Sequence, residues 1–434
     1  MSIQTFQDSS LDTLQAYLRG LNEPEWLQRV RSAAMERFQA MPWPTSQDEE
    51  FRRSNLSSYT FESWAFEQDT GEVAVVENPA GLSGTVTFEG ARAVRRTLDE
   101  DLEKKGVLLL SFRDLQQHPL PAKIAEQVEK TLLDAVANAD NRIALWHYVA
   151  LTHGAIVYVP DFLEIADPFL ISFEESGDHV LRAPQVVVVG GTGARFSVVH
   201  RMRGSDEGDV LYNEGVDITV GDTGAVQYFL YQKGNLDSSF FSNGIGQVGR
   251  DSVLKMYTAA FGGLFSKYRF DAQMVGPGGD AFLGGVYFPH EDQHIDMRTV
   301  QRHLAKNAHS LTLYKGAVIC EAHSVYQGLI SVDHEALNTD AYLTNNNLVL
   351  GDEARADSIP TLQINTDEVR CSHGSTTGKL DDRHLFYLES RGYNPEEARH
   401  LLIQGFFEEV VAHYPEVVQE EIQEIVEQRI CECE

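Results

Sequence analysis

The stretch from Gly154 to about Ile364 constrains this chain more than any other part of it. It reads as short β-rich runs, AIVYVP, HVLRAPQVVVVG, ARFSVVHRM, VDITVG, AVQYFLYQ and SVLKMYT, punctuated by Gly, Asp and Asn. Strand follows strand without intervening helices. About two hundred residues of that kind fit a sandwich, a large barrel or a parallel β-helix. No strict short repeat decides among the three, because β-helix coils vary in sequence and share only their in–out alternation.

Helical patterns flank this stretch. Leu11, Leu14 and Leu18 recur at helical spacing after Ser9 and Ser10, and Trp26, Leu27, Val30, Ala34, Phe38 and Met41 mark a second amphipathic helix that Pro42 and Pro44 end. Between about 70 and 110 the pattern is mixed, with apolar runs at Val73 to Val76 and Val107 to Leu110. Pro121 opens a helix with Ile124, Val128, Leu132 and Val136 on one face, and a shorter helix carries Leu145, Trp146 and Val149. After the strands, Asp381 or Asp382 is a good N-cap, and Gly392 sits where a left-handed stop belongs. Asn394-Pro395-Glu396-Glu397 has the order of a capping box. Ala398, Leu402, Phe406 and Val410 then form one apolar stripe, and Val418, Ile422, Ile425 and Val426 a last one beyond Pro415. The reading divides the chain into a helical and mixed region over 1–153, a strand-built core over 154–372 and a helical domain over 373–434.

Thirty-five basic against 65 acidic residues give a formal charge of −30. Such a surface repels phosphate backbones, which argues against nucleic acid and anionic membranes and favours a basic protein partner. The N-terminus lacks signal-peptide architecture, and no apolar run approaches the roughly 20 residues that span a bilayer, so a cytoplasmic protein is expected. Cys320, Cys371, Cys431 and Cys433 are too few for a disulfide framework and are expected as reduced thiols.

Several motifs resolve into bland readings. GSTTGKL at 374–380 is one residue short of a phosphate loop and has Leu380 in place of the magnesium-binding hydroxyl, so no nucleotide site is expected. GIGQVG at 244–249 matches G-x-G-x-x-G but opens no clear helix, and is read as a turn between strands. His290, Asp292, His294, Asp296, His303 and His309 form the densest ligand-type cluster, at spacings that match no standard metal motif. Cys431 and Cys433 alone would give a metal two ligands, and are read as part of an acidic tail.

Cys371 and His373 carry more. Two apart on an extended backbone, they leave the same face, offering iron or zinc two ligands where about four are usual. From residue types alone a buried thiol beside a hydrogen-bonded core histidine is the commoner account; as a metal site the pair is half built and needs a second chain.

The sequence CSHGSTTG from Cys371, followed by LFYLESRGYNPEEARHLLIQGF, resembles the C-terminal signature of the SufB/SufD family of iron–sulfur cluster assembly scaffolds. GAIVYVP, VDITVGDTGAVQYFLYQ, YRFDAQMVGPGGDAFLGGVYF and QHIDMRTVQRHLAKNAHSLTLYKGAV resemble successive stretches of the same scaffolds. PTSQDEEFRRSNLSSY resembles their N-terminal passage, with Phe51 where a tryptophan is usual. The resemblance implies a mainly β fold, a right-handed parallel β-helix flanked by N- and C-terminal helices. It also implies a non-catalytic, SufD-like scaffold subunit working with a SufB-like paralogue and a SufC-like ATPase. It places Cys371 and His373 at the joint with the paralogue, where a transient cluster would form, and leaves open whether a flavin joins the complex. The ATPase is expected on the C-terminal helices, where Leu385, Phe386, Leu388, Leu402 and Phe406 offer more apolar surface than two short helices bury. The rival from another class is a β-helix enzyme acting on polysaccharide.

Overall fold

Parallel strands need a partner on each side, and this chain supplies one by coiling. In the computed structural model, which describes residues 23–54, 56, 64–66, 74–75 and 78–432, the strands form a parallel β-solenoid of about 8 turns with helices at both ends. Successive strands alternate between two sheets: Ala225–Lys233, Val253–Ala260, Asp280–Tyr287, His309–Val318, Thr339–Val349 and Val369–Gly378 lie on one, with Ser239–Val248, Phe265–Met274, His294–His303, His323–Val332 and Arg355–Ile364 on the other. Pairing is parallel and in register, so Ala225 meets Val253, Val253 meets Asp280 and Asp280 meets His309. From Arg195 onward, residues in register on neighbouring coils are 27 to 32 apart in sequence, a period too loose to show as a repeat. Strands earlier than expected join the ladder: Gly84–Glu89 pairs in parallel with Phe169–Glu175, and Leu108–Ser111 closes the other sheet against His153–Val159. At the far end the ladder continues past residue 372 to Gly378.

The turns stack as strictly as the strands. Thr223, Asp251, Asn307 and Asn338 each adopt φ between 52° and 58°. Each donates its backbone N–H to the next coil, Thr223 to Arg250, Asp251 to Pro277, Asn307 to Leu337 and Asn338 to Glu368, at 2.7 to 2.9 Å. Asp251, Asn307 and Asn338 are of the residue types that tolerate the left-handed region best after glycine, and Thr223 adopts it as well. GIGQVG belongs instead to a strand, Ser239–Val248. A Cβ on Gly244 would strike the Phe270 ring, and one on Gly246 the Leu254 side chain, so these glycines serve lumenal packing.

Three apolar clusters hold the molecule together. The lumen is filled by inward rows such as Val198, Tyr228, Met256 and Leu283. The outer face of one sheet, including Val187, Val189, Leu211 and Phe241, packs under helices α1 (Glu25–Ala40), α3 (Ala122–Asn138) and α4 (Arg142–Ala150); a short helix, α2, spans Glu100–Lys104. Strand Pro184–Gly190 is therefore buried on both faces, which is why its sequence is a continuous valine run. The outer face of the other sheet, with Phe229, Tyr257, Phe261 and Phe288, lies under α6 (Pro395–Val411) and α7 (Glu416–Glu432). The expected helix at Leu11 to Leu18 and the run Val73 to Val76 fall wholly or partly outside the described residues. Cys320 is disulfide-bonded, which corrects the expectation of reduced thiols, while Cys371 and Cys431 are free.

The QDEEF passage is pinned to the solenoid by a buried ionic hub. Lys267 Nζ lies 2.7 Å from Asp296 Oδ2 and donates to the Glu50 carbonyl at 3.2 Å. Ser54 Oγ donates to the same Asp296 carboxylate, and Phe51 stacks its ring under the ammonium at 4.7 Å. Arg269 and Arg298 reach the Glu50 carboxylate from the neighbouring row. Removing one partner of such a pair leaves a buried charge uncompensated. Lys267→Met is expected to destabilise the fold by about 3–5 kcal/mol in urea unfolding; an unchanged midpoint would show that the hub is dispensable.

Candidate functional site

Cys371 and His373 lie on Val369–Gly378, the last strand of the solenoid. Register fixes their direction. Cys371 stands beside Ala341 and His373 beside Leu343, both buried lumenal residues, so both ligand-type side chains lie on the inward face of the strand, at the end of the solenoid. Cys371 packs half-buried against the lumenal cluster, while His373 is exposed. The GSTTG segment that resembled a phosphate loop is the rest of this strand, extended and without a helix N-terminus to bind phosphate.

The edge at this end is open. Among the described residues, Val369–Gly378 pairs only with Thr339–Val349, and Arg355–Ile364 only with His323–Val332. Two adjacent ten-residue strands thus present unpaired N–H and C=O groups, the template that edge strands offer to another chain. Leu362 and Ile364, in register with the lumenal Ile330 and Val332, are 36% and 38% exposed because no further coil covers them.

Below the pair the lumen turns polar. Ser310 lies beneath Ala341 in the Cys371 row, and Thr312 beneath Leu343 in the His373 row. Ser310 Oγ meets His303 Nε2 at 2.8 Å and donates to Gln301, whose amide donates on to Thr312. Alongside, Tyr287, Asn345 and Asn347 close a second network, with Tyr287 OH to Asn347 Oδ1 at 2.6 Å and Asn345 Nδ2 to Tyr287 OH at 3.0 Å. Sequence reading missed these residues; the alternation S-L-T-L at 310–313 and the run Asn345-Asn346-Asn347 were the signals, but only the register shows which members face inward.

The histidine-rich passage does not converge. His303 faces the lumen, Asp296 serves the Lys267 hub, and His290 bonds Gln293. His294 and His323 do meet between neighbouring coils, ring centroids 4.6 Å apart, with His323 Nε2 3.0 Å from Asp357 Oδ2. Among the described residues no group of three or more His, Cys, Asp or Glu could hold a metal.

On the C-terminal helices the N-cap is Asp381, the Asn394–Glu397 capping box is complete, and Gly392 has φ +100°. Helix α5 (Asp382–Ser390) buries no residue. Phe386 is 72% exposed, and Leu385 and Leu388 are partly so. The apolar stripe of α6 is turned from its expected line. Ala398, Ile403, Phe407, Val410 and Val411 are buried, whereas Leu402 and Phe406 flank the contact, Phe406 lying over Lys315 Nζ at 4.9 Å. The rotation arises because α6 packs on the sheet and on α7 at once. Phe406 is partly buried against the same cluster, and Leu402 is half-buried beside the exposed Leu401.

Comparison with known proteins identifies this architecture. The family model for the SUF system FeS cluster assembly SufBD core domain matches residues 173–406. The chain belongs to the SufBD family. An iron–sulfur cluster assembly SufBD family protein of Mycobacterium leprae is 31% identical over 351 residues, 79% of this chain and 87% of the relative. SufD of Bacillus subtilis is 24% identical over 97% of this chain and 99% of its own length. SufD of Escherichia coli is 34% identical over 37% of this chain and 38% of its own. The protein is thus an iron–sulfur cluster assembly protein of a scaffold family, which displaces the polysaccharide-enzyme alternative. Among the described residues no helix is long and apolar enough to cross a membrane.

Burial, with the nearby Asp340 carboxylate second, pushes the Cys371 thiol above its ordinary pKa. Its thiolate is correspondingly scarce at neutral pH, and thiolate is the reactive form. Maleimide labelling read by peptide mass spectrometry is expected to modify exposed Cys431 faster than Cys371. Asp340→Asn should speed Cys371 labelling severalfold and leave Cys431 unchanged; equal acceleration at both would mean the substitution loosened the fold.

Proposed function

We propose that this chain is a SufD-like, non-catalytic scaffold subunit that pairs edge to edge with a SufB-like paralogue and docks a SufC-like ATPase on its C-terminal helices. The observation that carries the reading is the position of Cys371 and His373: both point inward on a terminal strand whose edge is unpaired. A transient iron–sulfur cluster, as cargo, would take two ligands from this chain and the remainder from the strand that completes the ladder. Nucleotide hydrolysis belongs to the partner, since this chain offers no phosphate loop. The setting is cytoplasmic, in keeping with a net charge of −30 that favours protein partners over membranes and nucleic acid.

The ATPase site rests on α5 and its neighbour. Leu385, Phe386 and Leu388, with Leu402 and Phe406 flanking, form an apolar surface whose most exposed member is an aromatic ring; such anchors dominate interfaces. Cutting the chain after Ser372 would sever the last strand and strip α6 and α7 from the sheet they cover, so point substitution is the cleaner test. Phe386→Ala is expected to weaken ATPase retention in co-purification by about 30-fold, the equivalent of roughly 2 kcal/mol at a hot spot. Paralogue pairing should be unaffected. His373→Ala and Cys371→Ser should leave the three-subunit complex intact and slow its anaerobic cluster assembly; normal rates in both would make the pair structural, and a stoichiometric cluster on the lone subunit would overturn the shared-site reading.

A further inference from the structure

A second polar assembly lies deep in the lumen, about five coils from the open end, and the proposed scaffold role makes no use of it. Glu214 on Val210–Val220 alternates with inward-facing Tyr212 and Val216, so its carboxyl points into the lumen, where the residue is 1% exposed. His200, fully buried on the opposite sheet, brings Nε2 to 3.5 Å from Glu214 Oε2 and holds Tyr228 OH with Nδ1 at 2.8 Å. Tyr212 shares the Glu214 strand, and Tyr268 lies in the same inward row, Glu214 to Ser242 to Tyr268. Both carboxyl oxygens, His200 Nε2, Tyr212 OH and Tyr268 OH are buried without a well-formed hydrogen bond, although the Ser242 hydroxyl acting on Glu214 and the Ser266 hydroxyl acting on Tyr268 come close to serving them. Buried polar atoms in such number are normally satisfied by ordered water or an ion. Arg182, whose guanidinium acts on Tyr212, is paired with Glu175, and among the described residues no Lys or Arg acts on the Glu214 carboxyl.

We propose that this level of the lumen is a closed hydrated site in which ordered water links Glu214 with Tyr212, Tyr268 and His200, and in which Glu214 rather than His200 takes up a proton as pH falls below neutrality. Water suits the donor set, since two phenols and a carboxylic acid both give and accept hydrogen bonds. A permanently charged guest would have to enter a sealed lumen and shed its hydration. Burial acts in the matching direction on both groups, pushing Glu214 up to about 7 and His200 down to about 3.

The sign follows from the raised carboxyl. The folded chain holds this proton more tightly than the unfolded chain, so the stabilisation is complete below the ordinary value of 4.5 and is lost as pH rises to about 7. Asp217, on the outer face against Tyr148 and Gln185, titrates in the same range; only the difference from a Glu214 variant is diagnostic. The test takes the full chain. Its crystal structure should show water within hydrogen-bond reach of Glu214, and its infrared spectrum a protonated-carboxyl band that Glu214→Gln removes. Between about pH 5 and pH 8 the melting temperature of the natural chain should fall more than that of Glu214→Gln. Tyr268→Phe, which removes one hydroxyl, should keep the pH dependence while changing the water. A dry lumen, a metal ion in place of water, or parallel melting curves for Glu214→Gln and the natural chain would each overturn the proposal.

Discussion

Each coil of this protein exists because the next one satisfies its backbone. In a parallel ladder a strand's N–H and C=O groups are half satisfied by the coil before and half by the coil after, and the turn amides of Thr223, Asp251, Asn307 and Asn338 obey the same rule. Stability therefore builds coil on coil, and the ends must be handled separately. At the start the antiparallel strand Arg92–Leu98 folds over Gly84–Glu89 and takes up its free edge. At the finish, among the described residues, no such strand covers Val369–Gly378 or Arg355–Ile364, and lumenal apolar side chains are left in the open. The contrast between a capped end and an open one gives the solenoid a direction.

The two outer faces are divided between the chain's ends. The N-terminal helices and the Glu50 hub cover one sheet, the C-terminal helices the other, and both are secured by cations placed against carbonyls. Arg31 donates to the carbonyls of Val149 and Leu151, and Arg429 to those of Phe261 and Phe288. A guanidinium can serve several carbonyls at once where a terminal helix must seat against irregular backbone. Helix α5 has no such anchor and buries no residue, which leaves Leu385, Phe386 and Leu388 partly or largely in solvent.

Much of this was legible in the residues, for reasons that also explain what was not. The strand runs were plain because inward Val, Ile, Tyr and Phe alternate. Caps at Asp381 and Asn394 were plain because capping is chemistry within four residues. The class of β fold was not, since coil length drifts with each turn and only resemblance selected the β-helix. Gly244 and Gly246 were misread as a turn because a glycine demanded by a facing Phe270 or Leu254 looks, in sequence, like one demanded by φ. Leu402 and Phe406 were placed at the centre of a stripe that in fact runs through Ile403 and Phe407, a shift of one residue that arises when a helix must satisfy two neighbours. For Cys371 and His373 the shared face was evident from their spacing; that this face looks into the lumen, beside Ala341 and Leu343, required the register.

That direction bears on how a shared cluster would be held. Ligands on the outer face of the last strand would leave a metal beside the joint, open to water. Inward ligands set it on the coil axis, with Ala341, Leu343 and the hydrogen-bonded Ser310–His303–Gln301 floor beneath. Adjacent strands are about 4.8 Å apart, and metal–thiolate bonds are about 2.3 Å, so one iron can span an inward Cys371 and an inward ligand on the strand added next. In that arrangement the positions that would complete the set lie on the strand added next to the ladder. In the proposed assembly, cluster formation and strand pairing therefore depend on a single event, the docking of a second edge.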